Sequence, residues 1–315
     1  MGVHMYHKYL FVGLGGSGGK TLRFLKRDIT RWLERNGQPN KIPAGWKFLH
    51  IDTPTNPDGN ELNHLVPQIG IDEYLGLIDF GIDMHAVQAN LDSRDVLHEE
   101  LTSWRIAPAN VGVPLSLGAG QFRAIGRTVA VWTAGRIKSA INESLAGLEQ
   151  ALVDAELKDL FHNITGEAAD GKPRTHIIIV SSLAGGTGAG LMQDVCDIIR
   201  AMDKSYSDEI FAVLYAAEAF DALGGDGTRG VQPNTLAAFS ELMNGHWYNG
   251  DADAGELNPV NPPIDDQVLR AAGLPIEILR SGPNYPFLVG RKGAGGIDYA
   301  TPTKLFEMIG RSLLS

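Results

Sequence analysis

The residues with most to offer a ligand in this chain are its glycines. They gather in Gly13-Leu-Gly-Gly-Ser-Gly-Gly19, in Leu117-Gly-Ala-Gly120 followed by Gln121, and in Ala184-Gly-Gly-Thr-Gly-Ala-Gly190. Glycine permits φ > 0 and lets a bound group come close to the main chain. Successive backbone N–H groups at a turn or a helix start form a natural anion site. The candidate anion contacts are therefore Gly13, Gly15, Gly16, Ser17 and Gly18 in the first stretch, and Gly118, Ala119, Gly120 and Gln121 in the second. In the third they are Gly185, Gly186, Thr187, Gly188, Ala189 and Gly190, with Thr187 adding a hydroxyl donor. Two further candidates are charged: Lys20, just past the first stretch, and Asp52, at the end of an apolar run.

Such turns work only if strands and helices hold them. His176-Ile-Ile-Ile-Val180 is an unbroken apolar run rich in β-branched residues, the pattern of a buried parallel strand. After the third glycine stretch, Leu191, Val195, Ile198 and Ile199 recur at helical spacing. Tyr9–Leu14 is a short apolar strand, and Lys20–Glu34 reads as an amphipathic helix with Leu22, Leu25, Ile29 and Leu33 on one face. Gly45–Asp52 and Glu209–Ala217 read as further strands, and Tyr285–Gly290 as a last edge strand. A helix is predicted from near Arg123 to about Leu152, through Ile125, Val129, Trp132, Ile137, Ile141 and Leu145. A second is predicted over Thr303–Leu314, through Leu305, Met308, Ile309 and Leu313. Pro54–Gly70, Asp154–Arg174 and residues 249–283 read as connections. The expected class is α/β, a mostly parallel sheet flanked by helices, with a ligand over the C-terminal strand ends.

Composition narrows the function classes. The chain has 315 residues, 43% hydrophobic and 20% charged, with a formal net charge of −10. That balance disfavours nucleic-acid binding, which needs clustered Lys and Arg. One cysteine, Cys196, excludes an internal disulfide and favours a cytoplasmic location. No apolar run is long enough to span a bilayer. His64, His85 and His98 lack metal-ligand spacing and read as surface or core residues. Residues 1–5 belong to no predicted element.

The first glycine stretch fits several chemistries. Gly13, Gly15 and Gly18 supply the Gly-x-Gly-x-x-Gly of a dinucleotide fold. Gly19-Lys20-Thr21 ends like a phosphate-binding P-loop, but the first glycine of that motif falls on Leu14. Asp52 could hold a ribose, sit near magnesium, or simply close a turn. Arg123 and Arg127 fit either phosphate contacts or a solvated helix face.

Ala184-Gly-Gly-Thr-Gly-Ala-Gly190 resembles the signature of the tubulin/FtsZ superfamily, at the same strand-to-helix position. Leu117-Gly-Ala-Gly120 with Gly126-Arg127 resembles the family's third loop, Asp52-Thr53-Pro54 its second, and Gln232-Pro-Asn-Thr-Leu-Ala-Ala-Phe-Ser-Glu-Leu242 a helix that begins Tyr-Asn. The order along the chain is the family's, and the chain resembles the divergent bacterial tubulin-like proteins more than tubulin itself. Lys20 stands where FtsZ-like proteins usually carry Asn. The resemblance implies a GTP/GDP-binding domain over residues 1–315, with the family's C-terminal domain absent, and Mg²⁺ ordered by Asp52 through water. Asp221 would bind the ribose, with Asp226 and Glu218 as alternatives. Asn234 would face the guanine, unless it is a helix N-cap. No Asn lies between Gly290 and Ser315 to supply the family's further base contact. The resemblance also implies self-association, and slow GTP hydrolysis whose water-orienting acids come from a neighbour's second domain, so no catalytic residue is assigned. A P-loop-type ATPase built on Gly19-Lys20-Thr21, and a non-catalytic interaction module that has lost the nucleotide, are the alternatives.

Overall fold

The computed structural model describes residues 6–57, 62, 64–93, 106–111, 114–202, 210–224, 228–247, 267–275 and 281–314. Six strands form one sheet: β1 (Lys8–Leu14), β2 (Trp46–Asp52), β3 (Tyr74–Gly76), β4 (Thr175–Ser182), β5 (Ile210–Tyr215) and β6 (Tyr285–Val289). Their order is β3-β2-β1-β4-β5-β6, and every neighbouring pair is parallel. The chain starts in the middle, winds outward through β2 to β3, then returns to lay β4 on the other side of β1. That reversal leaves a crevice beyond the C-terminal ends of β1 and β4, where open α/β sheets take their ligands.

Helices cover both faces, so the strands are apolar on both sides. On one face Leu10, Val12, Ile177, Ile179 and Ala212 pack beneath α3 (Arg123–Trp132), α4 (Ala134–Leu148), α6 (Gly186–Met202) and α8 (Gln267–Ala271). On the other, Phe11, Phe48, Val180, Val213 and Tyr215 join the apolar side chains of α1 (Gly15–Arg35), α5 (Ala151–Thr165) and α9 (Pro302–Ser312). The remaining helices are α2 (Met84–Asp92) and α7 (Val231–Trp247).

Several predicted boundaries move, each for a physical reason. The long helix predicted from Arg123 to Leu152 is broken at Thr133, whose backbone leaves the helical region at φ −104°, ψ 13°. The Thr133 hydroxyl donates back to the Val129 carbonyl at 2.7 Å, a bond that competes with the helix ladder. The predicted connection over Asp154–Arg174 is mostly α5, because Val153, Leu157, Leu160 and Phe161 bury one helical face. Gly166, at φ +74°, ends that helix. The helices α1 and α6 begin inside their glycine stretches, at Gly15 and Gly186, where packing overrides the poor helix propensity of glycine. Strand β3, of three residues, is too short to show a period. Tyr285–Val289 is an edge strand as predicted, with Tyr285, Phe287 and Leu288 exposed. His64 and His85 are exposed, and Cys196 is buried. His98, Asp226 and most of the connection over 249–283 lie outside the described residues.

Candidate functional site

The C-terminal ends of β1, β2 and β4 open onto a cleft of about 420 Å³. Leu14, Gly15, Gly16 and Ser17 form one wall, and Ser116 to Gly120 another. Ser182 and Gly185 to Gly188 form the third, and Asp52, Pro54 and Asn56 come in from the end of β2. The three glycine stretches therefore meet in space. Their joint is direct, since the Gly186 N–H donates to the Gly120 carbonyl at 2.8 Å.

The glycines divide into those that pack and those that face the cleft. A Cβ on Gly18 would lie 2.3 Å from the Val180 carbonyl oxygen, and one on Gly13 would lie 2.8 Å from the Gly18 carbonyl carbon. These two let α1 settle directly on β1 and β4, and neither lines the cleft. Gly126 and Gly190 do the same for α3 against α6: their Cβ atoms would lie 2.3 Å from the Gly186 oxygen and 2.8 Å from the Arg123 oxygen. By contrast, a Cβ on Gly185 would meet nothing within 4 Å. Gly118 and Gly120, at φ +117° and +54°, turn the second stretch through backbone conformations that other residues rarely adopt.

The electrostatics favour a negatively charged ligand held by main chain. Helix α1 begins at the cleft with Leu14 as N-cap and no side-chain cap, and α6 begins just after Gly185, which has no side chain to cap with. Neither helix carries an acid in its first turn. The first N–H groups of a helix have no partner within it, and the aligned peptide dipoles add positive potential there. Asp52 is the one ionisable residue lining the cleft among the described residues. It is buried; its Oδ1 accepts the Thr53 N–H at 2.7 Å, and its Oδ2 lies 3.6 Å from His50 Nε2. Thr53 and Thr187 join hydroxyls at 2.6 Å, which ties the end of β2 to the start of α6. Among the described residues no three His, Cys, Asp or Glu side chains come together as a metal site. A cation here would need ligand oxygens to complete its shell.

The other predicted residues sit as follows. Ala189 and Gly190 lie inside α6, and Lys20 inside α1, all outside the cleft lining. Gln121 is a tie: its Oε1 accepts the Gly230 N–H and its carbonyl accepts from Asn234. Asn234 Nδ2 donates to Gln121 O at 2.7 Å and to Ala184 O at 2.9 Å, so both amide hydrogens are spent on joining two loops. Asn234 is no N-cap, because its own N–H bonds to Gly230 O within the first turn of α7. Asp221 and Glu218 are exposed on the 3-10 turn Ala217–Leu223, outside the cleft lining. Arg123 and Arg127 do not form a solvated face. Arg123 pairs with Glu241, and Arg127 with buried Asp194 at 2.8 Å.

The contacts assigned from the sequence leave out Leu14, Pro54, Asn56, Ser116, Leu117 and Ser182, which complete the cleft. Ser182 is the last residue of β4, and Pro54 and Asn56 follow β2 within four residues of Asp52. The strand-end rule could have found these three. It could not have found Ser116, which depends on how the second stretch folds over.

A family model described as "Tubulin like" matches residues 10–315. The chain belongs to the tubulin-like family. No curated protein matches it. Among solved structures, this tubulin-like chain is similar to CetZ from Methanosaeta thermophila strain DSM 6194, at 13% identity and a TM-score of 0.41, over 98% of this chain and 53% of that one. It is similar also to CetZ2 from Haloferax volcanii, solved as a GTPgS-bound protofilament, at 14% identity and a TM-score of 0.40, over 97% of this chain and 57% of that one. The tubulin-like chain thus spans about half the length of these solved proteins.

Proposed function

We propose that this tubulin-like chain binds GTP and GDP, with the phosphates in the cleft. The observation that carries the reading is the meeting of three glycine stretches and two helix starts around a space lined also by Asp52. A polyphosphate there takes its hydrogen bonds from main-chain N–H groups around Gly15–Ser17, Ala119–Gly120 and Thr187–Gly188, the Gly118 and Gly186 N–H groups being held by the Leu115 and Gly120 carbonyls. A cleft of about 420 Å³ is within the range that small ligands fill. Guanine as the base rests on membership of the family, and the CetZ2 protofilament with bound GTPgS is in keeping with it.

Asp52 is the residue that would hold Mg²⁺ through water, with phosphate oxygens completing the shell. The ion would neutralise charge developing on the terminal phosphate. Within the chain, the N–H groups of α1 and α6 stabilise the same charge. The Asp52 carboxylate, held by the Thr53 N–H and beside His50, is fixed in place to serve a cation. Among the described residues no other side chain lining the cleft is ionisable. By the family pattern the water-orienting acids come from another subunit, so the isolated chain hydrolyses slowly and faster turnover depends on self-association.

Lys20 lies outside the cleft lining, which counts against the P-loop alternative. The test is to denature the purified protein and identify any released nucleotide by mass spectrometry, followed by calorimetric titration of the nucleotide-free protein with GTP, GDP and ATP. Guanine nucleotide is expected. Binding of ATP in preference to GTP, or no binding at all, overturns the reading.

A further inference from the structure

We propose that His50 is a positioning residue of the cleft, holding the first glycine stretch, Asp52 and the 54–56 loop in one register, a role that rests on the nucleotide reading above. His50 lies on β2 and is 2% exposed. Its imidazole fills a space that exists because residue 19 is glycine: a Cβ there would lie 2.2 Å from the ring's Cε1. Nε2 is 3.1 Å from the carbonyl of Gly15, the first residue of α1 and part of the cleft wall. A carbonyl only accepts, so Nε2 carries the hydrogen and donates. The same nitrogen is 3.6 Å from Asp52 Oδ2.

On the far side, the Tyr74 ring meets the imidazole nearly edge-on, with ring centres 5.1 Å apart. The Tyr74 hydroxyl donates to the carbonyls of Pro54 at 2.6 Å and Asn56 at 3.1 Å, both cleft residues. One buried ring thus touches the first wall, the acid and the tyrosine that anchors the second loop. Groups one step removed from a ligand commonly orient the groups that touch it. An ordinary packed histidine would affect stability alone. This one sets where Gly15 and Asp52 stand, so it affects binding as well.

The experiment measures binding of GTPγS with Mg²⁺ by calorimetry, and thermal stability, for wild type, His50→Leu, His50→Gln, His50→Ala, Gly19→Ala and the double variant Gly19→Ala/His50→Ala. His50→Leu keeps volume but loses the donor, and affinity falls roughly tenfold or more. His50→Gln keeps an N–H donor and recovers most of that loss. Gly19→Ala expels the ring and weakens binding as His50→Leu does. The double variant binds no worse than His50→Ala, because the two changes act on one contact. The proposal is overturned if His50→Leu binds like wild type while melting earlier, if His50→Gln loses as much affinity as His50→Leu, or if Gly19→Ala and His50→Ala simply add. Wild type that binds no nucleotide overturns the functional reading and removes this role with it. Wild type that binds beside indifferent variants overturns the His50 role alone.

Discussion

The middle of the sheet and its β5–β6 end are held together by opposite means. Around β1 and β4 the closest joints are main chain against main chain: Gly13 against Gly18, Gly18 against the Val180 carbonyl, and Gly186 on Gly120. Around β5 and β6 the joint is a buried polar network. Asp197 near the C-terminal end of α6 accepts from the Ser281 hydroxyl at 2.5 Å, the Gly282 N–H at 2.9 Å and Arg200 at 3.3 Å. Arg200 in turn donates to Gly282 O at 2.7 Å and to Asn284 Oδ1 at 3.2 Å. Close-packed glycine joints have no titratable part. They place N–H groups within tenths of an ångström, which a phosphate site requires. The network carries a pH dependence instead. The lesson is that the precise part of the molecule is the one with the fewest side chains.

The sharpest way to break this contrast is Gly18→Ala. Its methyl meets the Val180 carbonyl, backbone on backbone, so neither side gives way easily. We expect a loss at or above the upper end of about 1–3 kcal/mol in urea unfolding, and loss of nucleotide binding with it. If Gly18→Ala is as stable as wild type, the joint does not depend on close approach.

Gly185→Leu separates packing from binding within the same loop. Its side chain enters open space, so the melting temperature should hold within a few degrees. If the phosphates lie in the cleft as proposed, it intrudes on them, and GTP affinity should fall at least about a hundredfold, roughly 3 kcal/mol. An unchanged titration curve would place the ligand elsewhere.

At the β5–β6 end, burial pushes the Asp197 carboxyl up to about 6, against the lowering pull of Ser281, Gly282 and Arg200. The folded state then holds that proton more tightly than the unfolded chain does. The stability this contributes is full below about pH 4 and is lost as pH rises through about 6. Asp197→Asn should remove that part of the slope, on the order of 2–3 kcal/mol between pH 4 and pH 7.5, in unfolding curves compared with wild type. An identical slope in the variant would assign the dependence to other groups.

The smallest expected effect concerns Asp221. It is exposed and outside the cleft lining, so Asp221→Asn should change GTP affinity by less than about threefold, in calorimetric titration. A tenfold loss would bring the β5 end into the binding site and narrow the contrast.

The legible parts of the site were those where residue type alone carries the chemistry. Gly15, Gly118, Gly186 and Thr187 announce bare main chain between a strand and a helix, and Asp52 announces an acid at a strand end. The parts that were not legible depend on who stands opposite. Gly18 and Gly185 are the same residue in similar motifs, yet one is pressed on Val180 and the other opens on the cleft. Asn234 has the chemistry to read a base, but Gln121 and Ala184, distant in sequence, take both of its amide hydrogens. Arg123 and Arg127 have the spacing of a solvated face, but Glu241 and Asp194 bury them in ion pairs.

By itself the sequence determined the class of fold, the strands with two apolar faces, and the three main-chain turns. These follow from local periodicity and from what glycine permits, and both are properties of neighbours along the chain. Only the tertiary structure decided that the turns share one cleft, that Lys20 stays outside it, and that His50 sits in the room left by Gly19. Those outcomes rest on contacts between residues far apart in sequence. There, excluded volume and the pairing of buried polar groups choose among several roles that each residue type could have filled.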